Sequence, residues 1–395
     1  MTGETDRAGG AGPVTGPETG PGAPDPAAPD PAAPGPGATD PAATDLAGPE
    51  TAPAPVPAPE SSPAAASAPE AASAPEAASA AVPAPVPVPA IPILPYSRVV
   101  GQEDLKLALE LNFIAPRIGG VLITGQRGTA KSTVVRAFAL MSRGELPVTL
   151  PINATDDRVL GGWELDALMR GEAREQSGLL EEAHEKGLLY VDEVNLLDDH
   201  LVNIILDVVS TGVLSVQREG IAAARHLSFG LVGTMNPEEG GLRPQLLDRF
   251  GLMVTAAELD TEARHRMIMT VLTFEEELAE ETSVWRADAA AEGATLKNAL
   301  LAARTALPGV EVGEEIGRLC AEAAGRLSAV GHRGELVTAQ AARALAAKEG
   351  AARVEPGHVR RVLPFALRHR RPESTHGGTF EWGPDDDARV EDLFG

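Results

Sequence analysis

The chain has 395 residues with 57 acidic and 33 basic side chains, a formal charge of −24 and only 3% aromatic residues, and so acidic a protein gains nothing from a phosphate backbone, which argues against nucleic acid as a partner. One cysteine, Cys320, excludes an intramolecular disulfide and a cysteine-rich metal site. No apolar run approaches the roughly 20 residues of a membrane span, and the acidic, proline-rich start is unlike a secretory leader, so a soluble cytoplasmic protein without a membrane partner is expected.

Residues 1–93 are mostly Ala, Pro, Gly, Ser, Thr and acids, with Arg7 their only base and Ala-Pro-Glu-Ala-Ala-Ser repeated in tandem from Ala68 to Ser79. With almost no large side chain to bury, such a segment cannot offset the entropy of ordering its backbone. A disordered arm is the expectation there. From Tyr96 the texture changes. Gln102–Asn112 has helical spacing, with Leu105, Leu109 and Phe113 on one face. Gly120–Thr124, Gly187–Val191 and Phe229–Thr234 read as short buried strands, and a helix is expected from Ser132 to about Met141. Strands alternating with helices imply an α/β fold, a parallel sheet with helices on both faces. Beyond about residue 260 the strand signals stop. Asn298–Thr305, Val312–Ala329, Glu335–Lys348 and Pro356–Leu367 read as helices of a smaller all-α domain. The expected organisation is an arm over 1–93, a nucleotide-binding domain over 94–260, a helical lid over 261–371 and a loose acidic tail over 372–395.

Between the first strand and the next helix stands Gly125-Gln126-Arg127-Gly128-Thr129-Ala130-Lys131-Ser132-Thr133. Small residues let a loop wrap phosphates with its N–H groups pointing inward, and the helix N-terminus adds partial positive charge. Lys131 would reach the β- and γ-phosphates, and Ser132 would offer its hydroxyl to Mg²⁺. Ala130 replaces the usual second glycine, which a locally helical backbone would tolerate. The apolar strand ending in Asp192-Glu193 places two acids at the same sheet edge. Asp192 would hold Mg²⁺ through water, and Glu193 would act as general base. Asn236, at the end of the third strand, either orients the attacking water or caps a turn with Pro237, and the two roles are compatible. Arg249 and Arg243, near a helix end, are candidates for a finger reaching the nucleotide of a neighbouring subunit. Arg333 opens a helix of the lid and could reach the γ-phosphate. The eight histidines form no i, i+4 metal-ligand pair.

Together these residues resemble the AAA+ ATPases, and within them the ATPase subunits of magnesium chelatases, over about residues 96–371. Val100–Glu103, Pro116–Ile123, Val191–His200, Gly233–Gly240, Arg243–Gly251 and Val362–Arg370 carry the resemblance. It implies ATP and Mg²⁺ as cofactors and a hexameric ring. It also implies a D-type partner with an integrin-like domain and a large porphyrin-binding subunit, with ATP hydrolysis driving Mg²⁺ or Co²⁺ into a tetrapyrrole. Thr155–Gly178 would then be an insertion in a helix, and Gly212–Phe229 a hairpin. Ala130 and the short connection from Met141 to Asn153 are also similar to MoxR-like remodelling ATPases that work with a von Willebrand-type partner. A nucleotide-gated scaffold with little turnover is a third reading, which the Lys131, Asp192, Glu193 and Arg249 set opposes.

Overall fold

Apolar runs without alternation suit strands covered on both faces, because each face needs its own buried side chains. The computed structural model describes residues 92–163, 169–170, 175–218, 221–375 and 380–394. The expectation of a disordered arm therefore lies almost wholly outside the described residues. The strands are β1 (Val121–Thr124), β2 (Val148–Leu150), β3 (Gly162–Trp163), β4 (Glu175–Gln176), β5 (Leu188–Val191), β6 (Val213–Arg218), β7 (Ile221–His226), β8 (Gly230–Met235) and β9 (Leu252–Thr255). Five of them pair in the order β2-β5-β8-β1-β9, every pair parallel, with Val121 opposite both Val232 and Leu252. β6 and β7 form the antiparallel hairpin expected between Gly212 and Phe229, and β3 pairs with β4 inside the expected insertion.

Alternate residues of the sheet feed two cores. Val121, Ile123, Leu188, Tyr190, Val232, Leu252 and Val254 face the helices Glu103–Ile114 and Lys131–Arg143 and the C-terminal helices. Leu122, Leu189, Val191, Leu231, Met235 and Met253 face Leu179–Lys186 and Asp199–Thr211. The helix over Glu103–Ile114 buries Leu107 and Leu111 as well as Leu105, Leu109 and Phe113, so it is a central element rather than a surface one.

The C-terminal part is helical from Thr261, as expected, but more of it is helix than the sequence spacing signalled. Thr261–Leu278 and Val284–Ala306 are long helices where sequence spacing signalled only Asn298–Thr305. The reason is physical: Ile268, Met269 and Leu272 are about half exposed, so the first helix has no clean apolar stripe, and the second is alanine-rich. Glu314–Arg326, Arg333–Lys348 and Pro356–Leu367 follow and share the first core through residues such as Cys320, Leu345 and Leu363. The tail corrects the expectation of a loose end. Pro384–Val390 is a helix with Val390 buried, Asp386 pairs with Arg371, and Trp382 and Phe394 pack on the core. Among the described residues no helix is long and apolar enough to cross a membrane.

Candidate functional site

At the C-terminal end of β1 the chain turns at Gly125, whose φ of +141° and close approach to Ala256 (3.2 Å from any added Cβ) would strain any side chain placed there. The loop ends on Ala130 at φ +60° and ψ +18°, the N-cap of the helix Lys131–Arg143. The right-handed helical backbone that would tolerate a methyl there is not what the loop adopts: Ala130 is left-handed, a conformation that costs a non-glycine residue about 1–2 kcal/mol. Lys131 Nζ donates to the carbonyls of Gly125 (2.6 Å) and Gln126 (2.7 Å), and Thr129 Oγ1 donates to Gln126 O at 2.9 Å. Partial burial lowers the Lys131 pKa, against the pull of Asp192, Glu193 and Glu239.

Opposite the loop stands a hydrogen-bonded relay. Tyr190 O–H donates to Asp192 Oδ1 (2.9 Å), and burial pushes its phenol up to about 12, so the proton stays. Ser132 Oγ lies 2.8 Å from the Tyr190 oxygen and must be the donor there, because the single tyrosine proton is already committed. Thr234 Oγ1 donates to the same Asp192 oxygen (2.6 Å) and accepts Glu193 N–H (3.0 Å). Glu193 itself is left-handed at φ +53°, and its carboxylate meets Arg127 at 3.4 Å, which also pairs with Glu239. Two strained non-glycine residues flanking one cleft are the kind of stored cost that functional sites carry. Asn236 is buried, and its Oδ1 accepts Glu238 N–H at 3.3 Å, so it caps a turn while lining the cleft.

That cleft, about 360 Å³, is lined by Arg127–Thr133, Asp192, Glu193 and Thr234–Asn236. It is a cradle of N–H groups with the cations of Arg127 and Lys131, the hydroxyls of Thr129, Ser132, Thr133 and Thr234, and two carboxylates, which suits a polyphosphate carrying a divalent cation. A neighbouring pocket of about 430 Å³ shares Arg127–Ala130 and Thr133 and is walled by Leu94, Val99, Val100, Leu259, Met267 and Val271. Its apolar walls suit a flat heteroaromatic base beside the phosphates. Sequence reasoning missed this half. Its signal was the pair Val99-Val100 ahead of Gln102, whose carboxamide fastens to Ala257 O (2.8 Å) and N–H (3.0 Å).

The three candidate arginines stand elsewhere. Arg243 Nε pairs with Asp199 Oδ2 at 2.6 Å on a side chain three-quarters exposed. Arg249 Nη1 binds Asp207 Oδ1 (2.8 Å) and Asn203 O (3.4 Å) on the helix Asp199–Thr211. A Cβ built on Gly119 would lie 3.5 Å from both Arg333 Nη2 and Arg249 O, so Arg333 sits with Arg249 at the N-terminal end of β1. Lys131 is at the other end, a strand length or about 15 Å away. Arg333 therefore does not reach the phosphate loop of its own chain.

Residues 120–250 match the family described as AAA domain (dynein-related subfamily), and 318–393 match AAA lid domain. The lid match includes the docked tail. The chain is 40% identical over 347 residues to the chloroplastic magnesium-chelatase subunit ChlI of Chlamydomonas reinhardtii, covering 77% of this chain and 80% of that protein. It is 40% identical over 313 residues to the magnesium-chelatase 38 kDa subunit of Rhodobacter capsulatus, covering 71% and 88%. A cryo-EM-based structure of the BchI–BchD complex of magnesium chelatase aligns at 35% identity and a TM-score of 0.41, over 76% of this chain and 100% of that one.

Proposed function

Since the chain belongs to the magnesium-chelatase I-subunit family, with an AAA domain and its lid, we propose that it hydrolyses ATP in a ring of identical subunits. The energy released drives metal insertion into a tetrapyrrole held by a separate porphyrin-binding subunit, with a D-type subunit between them. The observation that carries this reading is the relay Ser132–Tyr190–Asp192–Thr234–Glu193 facing Lys131 across one cleft.

In that arrangement Lys131 leaves the carbonyls of Gly125 and Gln126 for the β- and γ-phosphate oxygens, and the loop N–H groups from Arg127 to Thr133 complete the cradle. The hydroxyl of Ser132 and, through water, the carboxylate of Asp192 suit Mg²⁺, which when bound neutralises charge on the phosphate oxygens. Glu193 accepts the proton of the attacking water and Asn236 orients it. Releasing Glu193 from Arg127 exposes its carboxylate to that water. Arg249, with Arg333 beside it, points away from its own cleft and serves the cleft of the next subunit, and Arg243 lies on the same outer surface.

Glu193→Gln tests the assignment. It should bind ATP and assemble as the parent does while losing turnover by roughly 10²–10⁴, the usual worth of a positioned general base. Normal hydrolysis by this variant sinks the assignment. Coupling is read by following a porphyrin spectrum with D-type and porphyrin-binding subunits present, and the reading requires insertion to depend on both this protein and ATP.

A further inference from the structure

The segment Arg368–Arg371, just after the helix Pro356–Leu367, is buried along its whole length. Four consecutive basic side chains inside a core are costly unless each is partnered. Arg371 pairs with buried Asp386 and donates to Glu381 O at 2.7 Å. Arg368 donates to Pro364 O and to Thr255 Oγ1, both at 3.0 Å. These two tie the lid to itself and to the far end of β9.

Arg370 does something different. Its side chain is fully enclosed, yet almost all its donors go to one short loop. Nε donates to Asp248 Oδ1 (2.9 Å), Nη2 to the carbonyls of Asp248 and Phe250 (both 2.7 Å), and Nη1 to the carbonyl of Gly251 (3.1 Å) and to Ala366 O. His369 Nε2 adds a bond to Phe250 O at 3.2 Å. The opposite side of the loop is fixed too, since Gly251 N–H donates to Gly119 O at 3.2 Å, and a Cβ on Gly251 would fall 2.0 Å from Ile118 O. Only the Arg249 side chain leaves this clamp, toward Asp207.

We propose that Arg370 is the positioning residue for Arg249: its guanidinium holds the Asp248–Gly251 loop so that Arg249 projects at a fixed height and angle from the subunit surface. The lid thereby sets the finger that acts on the next subunit rather than a contact within its own. The fork geometry explains the residue type, because a lysine ammonium cannot span a carboxylate and three carbonyls at once. The inference rests on Arg249 serving a neighbouring cleft.

The test is turnover by mixed full-length proteins. Arg249→Ala alone loses up to about 10³-fold, and mixing it with Glu193→Gln restores activity at interfaces that pair an intact base with an intact finger. Arg370→Met alone should lose on the order of 10²-fold, the cost of misplacing a reacting group by about an ångström, with ATP affinity unchanged. Mixed with Glu193→Gln it should be rescued as Arg249→Ala is, and the double variant Arg249→Ala/Arg370→Met should be no slower than Arg249→Ala. A purely structural pin predicts otherwise. Rescue of Arg249→Ala without rescue of Arg370→Met, or losses that multiply in the double variant, overturns the positioning role and leaves the neighbour-directed finger standing. Absence of rescue for Arg249→Ala overturns both. Should Arg370→Met not fold, Asp248→Asn keeps the carbonyl contacts while weakening the ion pair. It should show a smaller loss with the same rescue, and full activity in Asp248→Asn counts against the proposal.

Discussion

Ala130→Gly should stabilise this protein, which is unusual for a substitution that only removes atoms. Ala130 sits at φ +60°, ψ +18° at the mouth of the phosphate loop. A left-handed alanine costs about 1–2 kcal/mol because Cβ crowds the following carbonyl. Glycine removes that cost but gains about 0.5–1 kcal/mol of chain entropy in the unfolded state. Ala130 is exposed, so its methyl leaves no cavity to penalise. The balance is a gain of roughly 0.5–1 kcal/mol. With an unfolding entropy near 2 cal/mol/K per residue over roughly 300 folded residues, the melting midpoint should rise by only about 1–2 °C. Denaturant titration is therefore the better assay, with Ala130→Val as the opposite control. Valine is β-branched and least suited to this conformation, so it should lose at least 1 kcal/mol. If Ala130→Gly is destabilising while Ala130→Val is tolerated, position 130 is not left-handed, and the account of the loop is wrong.

Tyr190→Phe deletes the donor to Asp192 and the acceptor of Ser132 while keeping the ring in the core. A hydrogen bond to a charged group is worth about 1.5–3 kcal/mol, so Mg²⁺-ATP affinity should weaken by roughly 10- to 150-fold in a fluorescent-nucleotide titration, and an unchanged affinity would remove Tyr190 from the site. His369 gives a pH signature. Burial holds its pKa well below the ordinary histidine value, helped by Arg370, Arg368 and Arg333 and opposed by the Phe250 carbonyl. The folded state therefore keeps it neutral while the unfolded chain takes up a proton below pH ~6.5, so stability is present above that value and is lost as pH falls. Between pH 7 and 5.5 the parent should lose about 1 kcal/mol more than His369→Gln, whose amide can still donate to Phe250 O. Parallel pH profiles would show that His369 is not buried neutral.

The parts of this protein legible from sequence were those whose physics is local. A phosphate loop must follow a strand and open a helix, and two acids must end a buried strand at the same edge, so Lys131, Ser132, Asp192 and Glu193 fall into one cleft from spacing alone. β2 and β9 carried no such mark: each is three or four residues long, and their place is set by pairing with β5 and β1 rather than by their own pattern. The base pocket was hidden for a related reason, because Val99 and Leu259 are brought together only when Gln102 grips Ala257. The arginines show the limit most sharply. Arg249, Arg333 and Arg370 are far apart in sequence, and nothing local distinguishes one helix-terminal arginine from another. The fold separates them by what surrounds each: Arg370 is enclosed and spends its donors on backbone, while Arg249 emerges from the loop Arg370 holds. An arginine whose hydrogen bonds are all used internally has none left for a phosphate, whereas one leaning on a half-exposed aspartate gives up only a weak surface pair to reach another subunit. That difference in what must be broken, more than distance along the chain, decides which arginine can act across an interface and which can only aim it.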